Sequence, residues 1–393
     1  MLLSIIIVSY NVRHYLRQCL DSVWRSAKEG QIDVEVFVVD NHSNDGTVHY
    51  LRRVFRDYVR GQHPHARLTL IDNHCNVGFG RANNQALRKC KGDYVLFLNP
   101  DTLLGENTLA DCLHEAKRCD RLGAMGVEML RTNGRFAFES RRGLPTPWTA
   151  FCKMSGLAGL FPKNRCVGRY YMRYLDPEEA ADIEIVSGAF MFCSHEALRQ
   201  CGGFDETFFM YGEDIDLSYR FLKAGFRNRY VPTSILHYKG ESTHKNSYRY
   251  VHVFYQAMLI FFRKHFPASS MALTLPVHAA IYGQAIFTLI KQNFMAFAHY
   301  LSPNRYKQPF SMHYVGAEHT FAKITEKAET WGIRVTCSTT VPAECSAKIL
   351  AFSTEDFRYS DILRHFKLSD HRAHIGTYFP TTGTLILGNG IYH

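Results

Sequence analysis

The eleven cysteines of this chain form no C-x-x-C pair and no zinc-like cluster. That spacing argues against a disulfide framework or a zinc module. It suits buried, reduced thiols, and Cys90, Cys112 and Cys193 fall in apolar stretches. A basic leader is also lacking: the apolar start, residues 2–8, is too short for a signal peptide and reads as a first strand. No helix-turn-helix, zinc module or aromatic ribonucleoprotein motif is visible, and the basic residues are dispersed, which excludes nucleic acid as the expected partner. The net charge of +10 then points to another anionic partner, such as a membrane surface or a phosphorylated substrate. What is present is a globular composition, 46% hydrophobic and 21% charged over 393 residues. That length predicts about two units.

Strand and helix alternate through the first hundred residues. Residues 3–9 are a β-branched run, and 13–28 carry Tyr15, Leu16, Cys19, Leu20, Val23 and Trp24 at helical spacing. Further buried strands are predicted at 34–39 and 94–98, the latter because a strand covered on both faces needs continuous apolar residues, and a third strand at 68–72. Asn44 or Asp45 is the predicted N-cap of a helix through residue 55. The alternation predicts an α/β layer with a parallel sheet and right-handed crossovers. Each strand ends in a polar segment: Ser9-Tyr10-Asn11, Asp40-Asn41, Asn76 to Arg81, and Asn99-Pro100-Asp101. In such a sheet all four converge on one edge, where open α/β folds bind ligands. Pro100 marks the exit from the sheet, since Pro cannot continue a central ladder. Read alone, Asp101 is either a ligand-facing carboxylate or the cap of the next helix.

Residues 131–182 are irregular and basic, and read as a substrate-covering loop or a solvated variable one. A strand pair or bent strand is predicted around Gly188 over 183–193, then a short helix at 195–201. The pattern turns helical from Asp214, so Glu213 and Asp214 sit at a helix N-terminus, where the macrodipole stabilises carboxylates. A plain capping pair is the alternative. A strand at 229–236 leads to His237, which as a lone histidine reads equally as a packed core residue, and a helix follows at 248–265. Residues 268–290 contain no Asp, Glu, Lys or Arg and are long enough to span a bilayer at ~1.5 Å per residue. Ser269, Ser270, Pro276, His278 and Gln284 dilute the stretch, which favours a membrane-interface or re-entrant segment; a buried helical hairpin is the alternative. Its flanking Arg263, Lys264, Lys291, Arg305 and Lys307 suit anionic lipid. Helices at 321–331 and 359–366, with strands at 332–337, 347–352 and 375–387, make a small second α/β unit without a Gly-rich phosphate loop. The expected divisions are 1–265, 266–310 and 311–393.

Taken in order, SIIIVSYN, VVDNHSNDGT, NVGFGRANNQA, LFLNPDT, VSGAFMFCSHEAL, GGFDETFFMYGEDIDLSYR and HYKGEST resemble the inverting family 2 glycosyltransferases. Within them the resemblance is to bacterial rhamnosyltransferase-like enzymes that extend surface polysaccharides on a lipid carrier. It covers about residues 2–265; from about 316 the chain resembles a Rossmann-like extension of some bacterial members.

The resemblance implies a GT-A fold, a nucleotide-sugar donor and a polyprenyl-linked saccharide acceptor. Rhamnose from its dTDP donor is the expected sugar, and the cytoplasmic face of the inner membrane the expected location. It further implies a divalent metal, because a departing nucleoside diphosphate needs a Lewis acid such as Mg²⁺ or Mn²⁺, and these ions take oxygen ligands. Asp101 matches the metal-binding aspartate of the family. The usual D-x-D stands here as N-P-D, so Asn99 offers the donor's ribose a hydrogen bond but no charge. His237 matches a position near the metal or diphosphate. Asp40 matches the acid on the donor base, Ser9 and Tyr10 frame that pocket, and Arg81 lies near the diphosphate or base. Asp214 matches the general base, with Glu213 its neighbouring alternative. Inversion needs such a base on the face of the sugar opposite the leaving group. The competing reading, a non-catalytic nucleotide-binding or scaffold subunit, rests on Asn99 and the uneventful C-terminal unit.

Overall fold

The first strand, β1 (Leu2–Ser9), is buried along most of its length and feeds two cores at once. Its Leu3, Ile5 and Ile7 enter one core, and Ile6 and Val8 enter the other, because side chains alternate across a sheet. On one face lie α1 (Arg13–Glu29) and α5 (Thr108–Arg118), through Leu16, Leu20 and Leu109. The opposite face is covered by α4 (Phe79–Leu87), α8 (His195–Cys201) and α9 (Glu213–Lys223), through Ala82, Leu198 and Leu217. The result is a three-layer α/β sandwich. Each fully buried isoleucine contributes ~1.5–3 kcal/mol. These observations come from a computed structural model that describes residues 1–238, 248–267, 311–342, 345–388 and 390–393.

The central sheet also takes in β2 (Asp33–Asp40), β3 (Ala66–Asp72), β4 (Tyr94–Leu98), β5 (Thr102–Leu104) and β6 (Leu122–Leu130). It is completed by β7 (Ala181–Ile183), β8 (Phe190–Ser194) and β9 (Arg227–His237), in the order β3-β2-β1-β4-β8-β6-β9-β5 with β7 paired to β9. The first four strands are parallel, as the alternation predicts. The parallel block stops there: β8 runs antiparallel to β4, because the chain reaches it through the long excursion after β6, not by a crossover helix. Short helices α2 (Thr47–Val54), α3 (Arg56–Val59), α6 (Pro147–Met154) and α7 (Leu157–Leu160) occupy the connections.

The N-cap of α2 is Gly46, in the left-handed region at φ 75°, and neither Asn44 nor Asp45. Asp45 is drawn one place back because its carboxylate accepts the N–H groups of both Thr47 and Arg13. Helix α10 (Tyr248–His265) is fastened to α9 by Lys264 and His265, which lie 2.8 and 2.7 Å from the fully buried Asp216. The stretch 268–290 and its flanking Lys291, Arg305 and Lys307 lie outside the described residues. Among the described residues no helix is long and apolar enough to cross a membrane. All eleven cysteines are free thiols, with Cys19, Cys112, Cys152 and Cys193 buried.

The second α/β unit comprises β10 (Ser311–Val315), α11 (Phe321–Thr330), β11 (Arg334–Ser338), β12 (Ile349–Ser353) and α12 (Tyr359–Leu368), then β13 (His374–Phe379), β14 (Thr384–Leu387) and β15 (Gly390–Tyr392). Its sheet runs β11-β10-β12-β13-β14-β15, parallel as far as β13. The unit shares a core with the first: Tyr15, Leu103 and Tyr238 pack with Leu350, Phe352 and Phe366. Polar ties cross the same joint. Tyr15 donates to the Leu387 carbonyl (2.7 Å), and Gln18 to Thr377 (2.6 Å).

Candidate active site

After β4 the Asn99 N–H donates to the Ala189 carbonyl (2.9 Å), and Pro100 turns the chain out of the sheet. It re-enters at once as β5, which pairs antiparallel to β9 with Thr102 opposite His237. The Asp101 carbonyl accepts from the Tyr238 N–H (3.0 Å). These pairings bring the Asp101 carboxylate, 2% exposed, to 3.3 Å from His237 Nε2. The Asn99 amide nitrogen lies 3.5 Å from the same ring nitrogen. Asp101 is therefore no helix cap; the N-cap of α5 is Asn107.

The second group forms at the start of α9. Tyr211 and Gly212 both have positive φ (68° and 82°) and turn the chain sharply into the helix. Holding a tyrosine there costs of order 1–3 kcal/mol. Asp214 Oδ2 accepts Arg142 Nη2 (2.5 Å) and the Gly188 N–H (3.0 Å), and Oδ1 accepts the Ile215 N–H (2.8 Å). A Cβ on residue 188 would sit 3.3 Å from the Asp214 Cβ, so glycine lets the two approach. One turn, residues 187–189, thus holds both groups: Gly188 grips Asp214 and Ala189 grips Asn99. Glu213 is 6% exposed, and its Oε2 has no hydrogen-bond partner. Burial, with Asp214 beside it, pushes its carboxyl up to about 8. Glu213 is then neutral at pH 7, while Asp214 meets a guanidinium.

The third group lies at the ends of β1 and β2, which pair in register with Ser9 opposite Asp40. Ser9 is fully buried with an unpartnered Oγ, whereas Tyr10 is exposed. Asp40 is buried and closes its own turn, accepting the Ser43 N–H (2.8 Å) and Oγ–H (2.6 Å). Burial raises its pKa against the pull of those two bonds. Asn11, at φ 55°, accepts the Asn44 N–H (2.7 Å), which ties the loops after β1 and β2 into one rim. Arg81 stands apart from these groups: it is exposed and paired with Glu206 at 3.0 Å.

Two features have little trace in the sequence. Arg142 is one of nine lysines and arginines in the irregular stretch 131–182, and the fold alone singles it out. The Asn41 side chain bonds Asn73 (3.0 Å), Asn76 (3.1 Å) and the Gly78 carbonyl (3.3 Å), locking the loop after β3 to the end of β2. Asparagines clustered after two neighbouring strands are the signal that could have revealed it.

Among the described residues, no three His, Cys, Asp or Glu side chains converge as a metal cage. Asp101 and His237 nevertheless place a carboxylate oxygen and an imidazole nitrogen side by side, with an amide next to them. That donor set could hold a divalent ion whose other ligands come from substrate and water. The nitrogen suits Mn²⁺ better than Mg²⁺.

A mixed α/β sheet with carboxylates gathered at its carboxyl edge and at the N-terminus of α9 is that of a GT-A type glycosyltransferase. Residues 4–202 match the family model described as Glycosyl transferase family 2, and the chain belongs to that inverting family. The chain is 29% identical over 272 residues to the N-acetylglucosaminyl-diphospho-decaprenol L-rhamnosyltransferase of Mycobacterium tuberculosis, covering 66% of this chain and 83% of that relative. It is 27% identical over 248 residues to Rhamnosyltransferase WbbL of Escherichia coli, covering 60% and 82%. Among solved structures, the mannosyltransferase PcManGT of Pyrobaculum calidifontis in complex with GDP-Man and Mn²⁺ aligns with a TM-score of 0.45 at 19% identity, covering 77% of this chain and 81% of that one.

Proposed function

We propose that this glycosyltransferase moves rhamnose from dTDP-rhamnose onto a polyprenyl-linked saccharide in surface polysaccharide synthesis, working peripherally at the cytoplasmic face of the inner membrane. The observation that carries the reading is the Asp214 carboxylate, oriented by Arg142 and Gly188 on the same turn that anchors Asn99. The names of the two relatives supply the sugar, and one of them supplies the lipid-linked acceptor.

In this proposal the donor lies across the carboxyl ends of β1, β2 and β4. Asp40, Ser9 and Tyr10 take the base, and Asn99 takes the ribose. Arg81 would have to leave Glu206 to reach the donor. Asp101 and His237 would hold Mn²⁺ or Mg²⁺, which when bound offsets the charge of the departing diphosphate. Asp214 takes the proton of the acceptor hydroxyl as that oxygen bonds to C1. The C1–phosphate oxygen bond breaks on the opposite face, and its electron pair leaves with the nucleoside diphosphate. Positioned general bases of this kind contribute ~10²–10⁴-fold. Arg142 and the Gly188 amide fix the carboxylate's direction, and Glu213, neutral, adds no second negative charge beside it.

A panel of nucleotide sugars, assayed for hydrolysis with and without Mn²⁺, tests the reading. dTDP-rhamnose should be turned over fastest and with Mn²⁺ dependence. Asp101→Asn should weaken Mn²⁺ binding in calorimetry and abolish that dependence. Metal-dependent turnover that survives Asp101→Asn would remove the metal assignment.

A further inference from the structure

Residues 140–175 hold seven lysines and arginines and no aspartate or glutamate. The excursion they form is closed at its base. Gly143 N–H donates to the Tyr170 carbonyl (3.1 Å), and a Cβ on residue 143 would strike the Arg169 carbonyl at 2.3 Å. Glu184 tightens the same neck by accepting the Leu144 N–H (2.6 Å) and Arg169 Nε–H (3.1 Å). Arg142, the partner of Asp214, is the residue immediately before this neck. The excursion therefore leaves and returns beside the base.

Its tip is built differently. Thr146 caps α6, accepting the Thr149 N–H, and Pro147 opens the helix, so the turn is well formed. Yet α6, α7 and the residue after them leave Trp148 54%, Phe151 54%, Leu160 73% and Phe161 56% exposed. The described residues expose nine large hydrophobic side chains in all, and four of them lie within these fourteen positions. Apolar side chains scattered singly are normal on a soluble surface; a cluster marks an interaction site. Lys153, Lys163 and Arg165 are exposed on the same excursion. Aromatic rings with cations and no acid suit the headgroup layer of an anionic bilayer, where Trp is favoured and each nearby cation adds attraction.

We propose that the α6–α7 excursion docks on an anionic lipid bilayer by inserting Trp148, Phe151, Leu160 and Phe161, which presents the Asp214 neck to acceptors held at the membrane surface. The role of that neck rests on the lipid-linked acceptor proposed above, but the docking itself has its own readout. In the full chain, Trp24→Phe and Trp331→Phe leave Trp148 as the one tryptophan. With vesicles of phosphatidylglycerol and phosphatidylcholine its emission should shift to shorter wavelength and be quenched by brominated acyl chains. In the otherwise native chain, Trp148→Ser with Phe161→Ser should weaken vesicle co-sedimentation by at least about tenfold. The melting temperature should not move, since both side chains are exposed.

Trp148 emission unchanged by vesicles, or a double variant that binds like the native chain, overturns the proposal and assigns adsorption to another segment, such as 268–290. A blue shift that grows with protein concentration in the absence of lipid also overturns it, in favour of a second copy. The fluorescence needs neither donor nor acceptor. Docking without transfer to a lipid-linked acceptor would therefore sink the functional reading and leave this one standing.

Discussion

Two helix N-termini in this molecule each meet a carboxylate, and they use it differently. At α12 the acid is Glu106, from a residue some 250 positions earlier in the chain; it accepts the Tyr359 and Ser360 N–H groups at 2.8 and 2.7 Å. Burial alone would raise Glu106, but those amides hold its carboxyl below the ordinary range. At α9 the acid is Asp214, in the helix's own first turn, held by a guanidinium and by an amide from a separate turn. The electrostatics are shared, since a helix N-terminus favours negative charge. The difference lies in the partners. Where first-turn amides from another unit take the carboxylate, it becomes a joint. Where a side chain and one loop amide orient it at a partly open neck, it is the carboxylate to which the proposal above gives proton transfer.

Three substitutions probe that contrast, beginning with the largest effect. Asp214→Asn should lower kcat by ~10²–10⁴-fold with donor affinity unchanged in calorimetry; normal turnover would put the base elsewhere and erase the distinction. Glu106→Ala should cost ~1.5–3 kcal/mol in denaturant unfolding, the range for hydrogen bonds to a charged group, while the folded enzyme keeps its kcat. A collapse of turnover in that variant would show that the joint belongs to the site. The smallest effect concerns Glu213. Its folded pKa is raised, from the ordinary 4.5 to about 8, so its stabilising contribution is complete below pH 4.5 and is lost as pH climbs to about 8. The native melting temperature should therefore fall between pH 5 and 8 relative to Glu213→Gln; parallel curves would mean that Glu213 is not buried neutral.

Much of this fold was legible because the signals were local. The runs at β1, β2 and β4 are largely apolar and buried, and α8 and α10 start and stop where their periodicity does. The strand β5 escaped notice because it has three residues and owes its form to pairing with β9. Glycines at 123 and 126 dilute β6, although all nine of its residues are buried. In the site, Asp101 and Asp214 stood out by motif, and the structure sets each among named partners. Arg142 could not stand out, since nothing in a run of dispersed cations says which one will reach a carboxylate 72 residues away. The joint between units was equally hidden: Tyr15 and Gln18 look like ordinary helix positions until Leu387 and Thr377 arrive.

The turn at residues 187–189 works as a gauge block. The separation between the Asn99 end and the Asp214 end is set by a few peptide units pinned at both sides. In the mechanism proposed above, a longer or shorter turn would change how far the attacking oxygen stands from the sugar it must reach, whatever the sugar is. On the same proposal, variation in donor choice is better sought in the rim loops after β1 and β2, which can be redrawn without resetting that spacing.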